Sequence, residues 1–323
     1  MLDLNHLPKA GNGNIDYFYN TGSSGITTST TNSWVTWEKP KGIGTIVITC
    51  IGAGGGGGAG NKSATDEYSG AGGASGGFTR LLIPAMVLPD VLYVQVGGGG
   101  AGSPSVVLSN TSGVAANAGT ASYVSIAPST AAIYVACYAN GGGGAPATTS
   151  GSLTGMAAAV ATQSNALMSG LGLFFALAGQ AGGANVTSGT PTNITYPTTG
   201  LLLSGGGAGS SGSGSVAPGA SIIVPTQSSF SLITTRTGGS GSSNNTPTGN
   251  GADGISLLQP LMSIGGAGGG GNTAITGGGS AGGNGGSGGL GSGGGGGGGI
   301  KPTSSRSGAG GNGGDGLVII QTF

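Results

Sequence analysis

Residues 281–300 read AGGNGGSGGLGSGGGGGGGI, and fourteen of the twenty are glycine. No other feature limits so sharply what this chain can fold into. Glycine loses more backbone freedom on folding than any other residue. A single run of this kind therefore behaves as a flexible tether. Here the runs recur at AGGGGGAG (53–60), GGGGAG (97–102), GGGGAP (141–146) and GGAGGGG (265–271). Each follows a β-branched or aromatic run with strand character: TIVITCIG (45–52), LYVQV (92–96), AAIYVACYAN (131–140) and ISLLQPLMSI (255–264). Four more runs leave a glycine excursion rather than enter one: GFTRLLIP (77–84), ASYVSIAP (121–128), ASIIVP (220–225) and GLVIIQTF (316–323).

That alternation implies a geometry. If outgoing and returning strands pair antiparallel, every glycine excursion lies at one end of the strands. The proline-bearing turns IPAMVLPD (83–90) and IAPSTAA (126–132) then lie at the other. The expected fold is all-β: an antiparallel, jelly-roll-like β-sandwich body with a glycine-rich lobe at one end. The lobe is expected from 53–76, 97–120, 141–219 and 265–315. The last strand, Leu317 to Ile320, is expected to close the body beside early strands and tie down both termini. Residues 34–323 form this domain, and 1–33 form an N-terminal arm.

The lobe has a repeat. Ala281-Gly-Gly, Asn284-Gly-Gly, Ser287-Gly-Gly and Leu290 follow one another in threes, as do Ala309-Gly-Gly, Asn312-Gly-Gly and Asp315. Three residues per turn is the period of a polyproline II-type helix, which has no internal hydrogen bonds. On such a helix the Gly-Gly-X repeat puts every X side chain on one edge and leaves two edges of bare backbone. Bare edges let neighbouring helices exchange N–H and C=O bonds laterally, which meets the demand that buried backbone be paired. Ordering a residue costs about 1–2 kcal/mol, so only a cooperative bundle offsets it. Collagen is excluded, because its Gly-X-Y repeat is rich in proline at X and Y.

Chemistry is sparse. The net charge is zero, from eight basic and eight acidic residues. No basic patch is present to neutralise a phosphate backbone, so nucleic acid is not an expected partner. The single histidine, His6, lies near a terminus, where nothing builds a nucleophilic triad around it. No Cys/His cluster has metal-ligand spacing. Matches to GxGxxG, as in Gly52 to Gly57, carry little weight in a chain so rich in glycine. Gly60-Asn61-Lys62-Ser63 fails as a phosphate loop because asparagine intervenes. Asp66-Glu67 reads as solvated loop charge. No catalytic, metal or cofactor residues are assigned, and the protein is not expected to be an enzyme.

The apolar stretch SLTGMAAAVATQSNALMSGLGLFFALAG (152–179) is long enough to span a bilayer but is broken by Thr162 to Asn165. A small-residue helix or loop insertion packed on the body is expected, and no integral membrane protein. Cys50 and Cys137 fall in apolar strands and are expected as buried free thiols.

Residues 37–60, WEKPKGIGTIVITCIGAGGGGGAG, resemble the opening of the glycine-rich domains of bacteriophage tail-fibre proteins. Those have a Trp-x-x-Pro segment, a strand, then Gly-Ala-Gly-Gly-Gly. The closing DGLVIIQTF (315–323) is similar to their final strand. The resemblance covers about 34–323, and the glycine packing is similar to that of the polyglycine-sandwich tip adhesins on T-even-like long tail fibres. The insertion at 152–179 and the N-terminal arm depart from that pattern.

The resemblance implies a protein on the exterior of the virion that touches a bacterial surface receptor, a glycan or an outer-membrane protein, through loop tips of the lobe. Tyr68 and Tyr196 are the aromatic candidates for those tips, with packing on the glycine layer as the equal alternative. The arm carries Leu4 and Leu7 and the cluster Tyr17, Phe18 and Tyr19. It reads either as a tether that docks on another tail or fibre protein, or as an edge strand capping the sandwich. Two functions from different classes follow: a receptor-binding adhesin, or a structural virion component such as a head fibre, capsid decoration or fibre adaptor. An ice-binding surface is disfavoured, since X varies among Ala, Asn, Ser, Leu and Asp. No heptad or collagen repeat imposes threefold symmetry, and the sequence is compatible with a homo-oligomer.

Overall fold

The computed structural model describes residues 13–20, 34–62, 68–108, 113–147, 171–197, 203–211, 217–225, 233–243, 248–259, 261–273, 281–301 and 306–323. His6, Leu4, Leu7, Asp66 and Glu67 lie outside the described residues, as does most of the apolar stretch that begins at residue 152.

Two antiparallel sheets make the body. The first holds β1 (Ile15–Tyr19), β3 (Thr45–Ile51), β4 (Phe78–Pro84), β8 (Leu173–Leu177) and β13 (Leu317–Thr322), in the spatial order β1-β13-β3-β4-β8. The second holds β2 (Val35–Glu38), β5 (Val91–Gln95), β6 (Ser122–Ser125) and β7 (Val135–Ala139), in the order β2-β5-β6-β7. A short parallel pair, β9 (Ile194–Thr195) with β10 (Ile222–Ile223), and a hairpin, β11 (Ser256–Leu258) with β12 (Leu261–Ser263), complete the described strands.

Period-2 patterning explains the packing. In β4, Leu81 and Ile83 are buried while Arg80, Leu82 and Pro84 are exposed. The alternate residues Ile46, Ile48 and Cys50 of β3 meet Leu92, Val94, Val124 and Cys137 across the sandwich. Trp37 joins the same core, and its Nε1 donates to Asp16 Oδ2 at 2.8 Å, linking β2 to β1. β3 sits between β13 and β4 and is buried on both faces. Its second face, at Ile51, packs with Phe78, Leu203, Leu317 and Ile319. Cys50 and Cys137 are free and buried, as expected. Burial, with the Cys137 contact adding to it, pushes the Cys50 thiol well above its ordinary pKa.

β13 pairs with β3 and with β1, so the final strand does close the body beside early ones. Three expectations change. The segment 173–177, read as helix or loop, is the edge strand β8, because Leu-Phe-Phe-Ala-Leu pairs in register with Phe78–Leu82. The excursion 141–219 is therefore not one lobe segment, since the chain returns to the body as β8 in its middle. The run 255–264 is a hairpin of two paired strands rather than one strand. No helix among the described residues is long and apolar enough to cross a membrane.

Candidate functional site

The lobe is built from backbone. Three consecutive residues show the plan. Gly55 donates its N–H to Ala74 and accepts from Gly294; Gly56 donates to Asn117 and accepts from Ala145; Gly57 donates to Gly311 and accepts from Ser103. These bonds are 2.8–2.9 Å long. The run 52–61 is thus bonded to six others, 68–77, 113–121, 307–316, 97–106, 140–147 and 291–300. Contacts to each neighbour recur every third residue: Gly52, Gly55, Gly58 and Asn61 donate in turn to Gly77, Ala74, Ala71 and Tyr68. This is the period of a polyglycine II-type helix in a hexagonal array. The run 291–300 has the same environment, with 203–211, 264–273 and 281–290 among its partners.

Close approach dictates the residue type. A Cβ built on Gly55 would meet the carbonyl oxygen of Gly143, and one on Gly296 that of Gly70, far inside contact distance. Positive φ accounts for few of these glycines; Gly291, at φ +67°, is one, and it turns the chain between runs 281–290 and 291–300. Where the array leaves a gap, alanine fills it: Ala59, Ala145, Ala208 and Ala267 are fully buried.

The X residues divide by position. At the rim of the bundle a run lacks a neighbour, and a side chain supplies the acceptor that a carbonyl would. Asn250 Oδ1, Asp253 Oδ1 and Ser256 Oγ accept from the N–H groups of Asn284, Ser287 and Leu290 at 2.9, 2.7 and 2.7 Å. Asn312 Oδ1 and Asp315 Oδ1 accept from Gly102 and Gly99, and Asn284 Oδ1 accepts from Ala309. The three-residue spacing of these side chains follows the backbone repeat. Inside the bundle, buried Ser69, Ser75 and Ser204 do the same for Val186, Gln180 and Gly265.

The runs end together. Lys62, Ile300, Asn272 and Ser242 form a row of parallel bridges across four outgoing runs. Lys62 Nζ donates to Val107 O at 2.9 Å, which ties the run ending at Leu108 to the same level. The connections that follow, 63–67, 109–112, 244–247, 274–280 and 302–305, lie outside the described residues. At the opposite end of the body, Met86, Ile133 and Phe323 are exposed, and a cavity of about 460 Å³ is bordered by Lys41, Ile43, Met86 and Asp90. Lys39 is held there by Asp90 and by the carbonyls of Ala85 and Leu88.

The structure does not bring the sequence candidates together. Tyr68 opens the returning run at the distal end, but its side chain is only 8% exposed. Tyr196 is not at a tip: it packs with Ile222, Ile233 and Ile264 where the bundle meets the body. Its hydroxyl makes no well-formed hydrogen bond; burial pushes its pKa up to about 12, and the nearby Ser263 backbone opposes part of the shift. Both residues are buried. Tyr17, Phe18 and Tyr19 form β1 with Ile15 and Asp16, and Phe18 and Tyr17 pack on opposite faces of the sheet. The edge-strand reading of that cluster holds. No group of His, Cys, Asp and Glu able to hold a metal occurs among the described residues.

A β-sandwich whose strand connections extend into a laterally bonded glycine bundle defines an all-β, glycine-rich class of domain. Residues 27–291 match the family described as a glycine-rich domain, and the chain belongs to it. A search of curated proteins finds no match.

Proposed function

We propose that this is a phage virion protein of the tail fibre that binds a bacterial surface receptor, a glycan or an outer-membrane protein, through the distal end of its glycine bundle. One observation carries the reading: the outgoing runs end level, bonded side by side at Lys62, Ile300, Asn272 and Ser242. A hydrogen-bonded platform of this kind fixes where each connection begins. Binding surfaces on rigid scaffolds are commonly made from such connections. Their sequences, among them SNTS (109–112), NNTP (244–247) and PTSS (302–305), are rich in hydroxyls and amides. These groups suit sugar hydroxyls and polar protein surfaces.

The polarity of the body fits an attachment role at the other end. β1 enters the sheet beside the end of β13, with the Asn14 N–H donating to Thr322 Oγ1 at 3.1 Å. Asn14, just before β1, therefore lies at the base of the body, away from the distal row. The resemblance to tail-fibre domains supplies the virion setting.

The deciding measurement is binding of the purified protein to phage-susceptible and phage-resistant cells, with competition against phage adsorption. Binding to susceptible cells alone, with adsorption blocked, supports the adhesin. Replacing 244–247 or 274–280 with Gly-Ser sequence then removes binding while thermal unfolding stays unchanged. A folded sample that neither binds nor blocks adsorption overturns the reading in favour of a structural virion component.

A further inference from the structure

The outer face of the four-stranded sheet carries an aromatic row. Trp34, the residue before β2, lies against Tyr123 of β6, with ring centroids 6.5 Å apart and planes inclined at 50°. Tyr123 stacks on Tyr138 of β7 at 5.6 Å and 14°. Tyr123 is the cross-strand partner of both Tyr138 and Gln95, and Tyr93 is that of Ser125. Residues two apart on a strand share a face, so Tyr93 and Gln95 lie on the face that holds the row. All four rings are half-buried, and none belongs to the three apolar clusters of the described residues.

Two polar side chains sit among these rings with oxygens that lack a partner. Gln95 is 3% exposed and Ser125 fully buried, and neither Gln95 Oε1 nor Ser125 Oγ has a hydrogen-bond partner. Buried polar atoms are nearly always paired, so two unpaired oxygens beside one aromatic surface point to a ligand that supplies hydroxyl groups. Charge narrows the class. β2, β5, β6 and β7 contain no Lys or Arg, and β2 ends at exposed Glu38. A phosphate-bearing ligand would need cations.

We propose that this face is a binding site for a short neutral saccharide, lying across Trp34, Tyr123 and Tyr138 with its C–H groups against the rings. Gln95 Oε1 and Ser125 Oγ are buried in the free protein, so a small turn of the rings above them opens them to hydroxyls of the sugar. The rings supply apolar contact area and a polarisable face, and the two oxygens orient the sugar. The site lies at the body end of the run 97–108, away from the distal row, and does not rest on the receptor reading.

Trp34 and Trp37 are the two tryptophans of the chain. Trp37 is buried, so Trp34 dominates any ligand-dependent change in fluorescence. The test titrates the full chain with maltohexaose, cellohexaose, chitohexaose and mannohexaose, with the oligonucleotide dT12 as the anionic comparison. At least one hexasaccharide is expected to give a saturable change and to shield Trp34 from acrylamide quenching in the unmutated protein. Tyr138→Leu, which keeps an apolar side chain but removes the ring, is expected to weaken binding at least about tenfold, and Gln95→Leu several-fold. Replacement of 244–247 leaves this binding unchanged. The proposal is overturned if no hexasaccharide saturates, if dT12 alone binds, if Tyr138→Leu keeps full affinity, or if the distal replacement removes binding.

Discussion

The sandwich body and the glycine bundle share one chain and solve opposite problems. In the body, side chains fill the space between sheets and backbone bonds run within each sheet. In the bundle there are almost no side chains, and the backbone itself is the packing surface. A residue such as Gly56 makes one bond as donor and one as acceptor, to different runs. One bond per residue contributes about 0.5–1.5 kcal/mol net, close to the ordering cost of about 1–2 kcal/mol. The bundle therefore stands near balance on its hydrogen bonds, and the apolar clusters around Leu203, Ile222 and Ile264 at its junction with the body help to hold it. The contrast teaches that the body depends on side-chain volume and the bundle on its absence.

The strongest way to break the comparison is to add a side chain to the inner bundle. Gly55→Val and Gly296→Val place carbon against the carbonyls of Gly143 and Gly70. A loss of more than about 4 kcal/mol is expected, enough to prevent folding, and urea unfolding or soluble yield reads it. A mild effect there would mean that the runs can move apart. Removing side chain from the body comes next. Ile48→Ala, at a fully buried core position, is expected to cost about 2–5 kcal/mol and Ile48→Val about 0.5–1.5 kcal/mol.

The rim sharpens the contrast, because side chains there act as substitute backbone. Asn312→Ala leaves the Gly102 N–H without its acceptor. A loss of about 1 kcal/mol is expected, less than for the core since the site admits water. Equilibrium unfolding with matched Ala309→Gly as control measures it.

The smallest effect at neutral pH is Tyr196→Phe, which removes a buried hydroxyl that has only the nearby Ser263 backbone beside it and no well-formed hydrogen bond. Stability should change by less than about 1 kcal/mol there. The alkaline side differs. Tyr196 keeps its proton in the fold up to about pH 12, whereas the unfolded chain releases it near its ordinary value of 10. The folded state thus binds more protons in that window, and its stability falls as pH rises through it, by up to about 1.4 kcal/mol per pH unit. Tyr196→Phe should remove this part of the alkaline decline in unfolding temperature. An identical decline in both proteins would show that the hydroxyl is not buried.

Particular residues show what was legible. The strands at Thr45–Ile51, Phe78–Pro84 and Leu317–Thr322 match β-branched runs bounded by glycine, because alternation marks a half-buried strand locally. β8 was hidden in an apolar insertion of small residues, and only its pairing with β4 makes it a strand. Tyr68 and Tyr196 are buried, whereas Trp34, Tyr123 and Tyr138 line up as half-buried rings on one face. Within a strand an aromatic residue reads as core until the sheet shows which face it occupies. Tyr123 alternates with buried Val124, and nothing local says which of them meets the other sheet.

An all-β chain, glycine gathered at one end and runs bonded sideways with a period of three were all legible in the order of the residues. These follow from local chemistry: β-branched alternation, proline at turns, and backbone groups that need partners. Tertiary structure alone decided which run lies beside which. Every Gly-Gly-X stretch presents nearly the same edges, so no run identifies its neighbours. The strands that launch and receive each run place it, and the rim asparagines and aspartates become acceptors only once a neighbour is missing beside them.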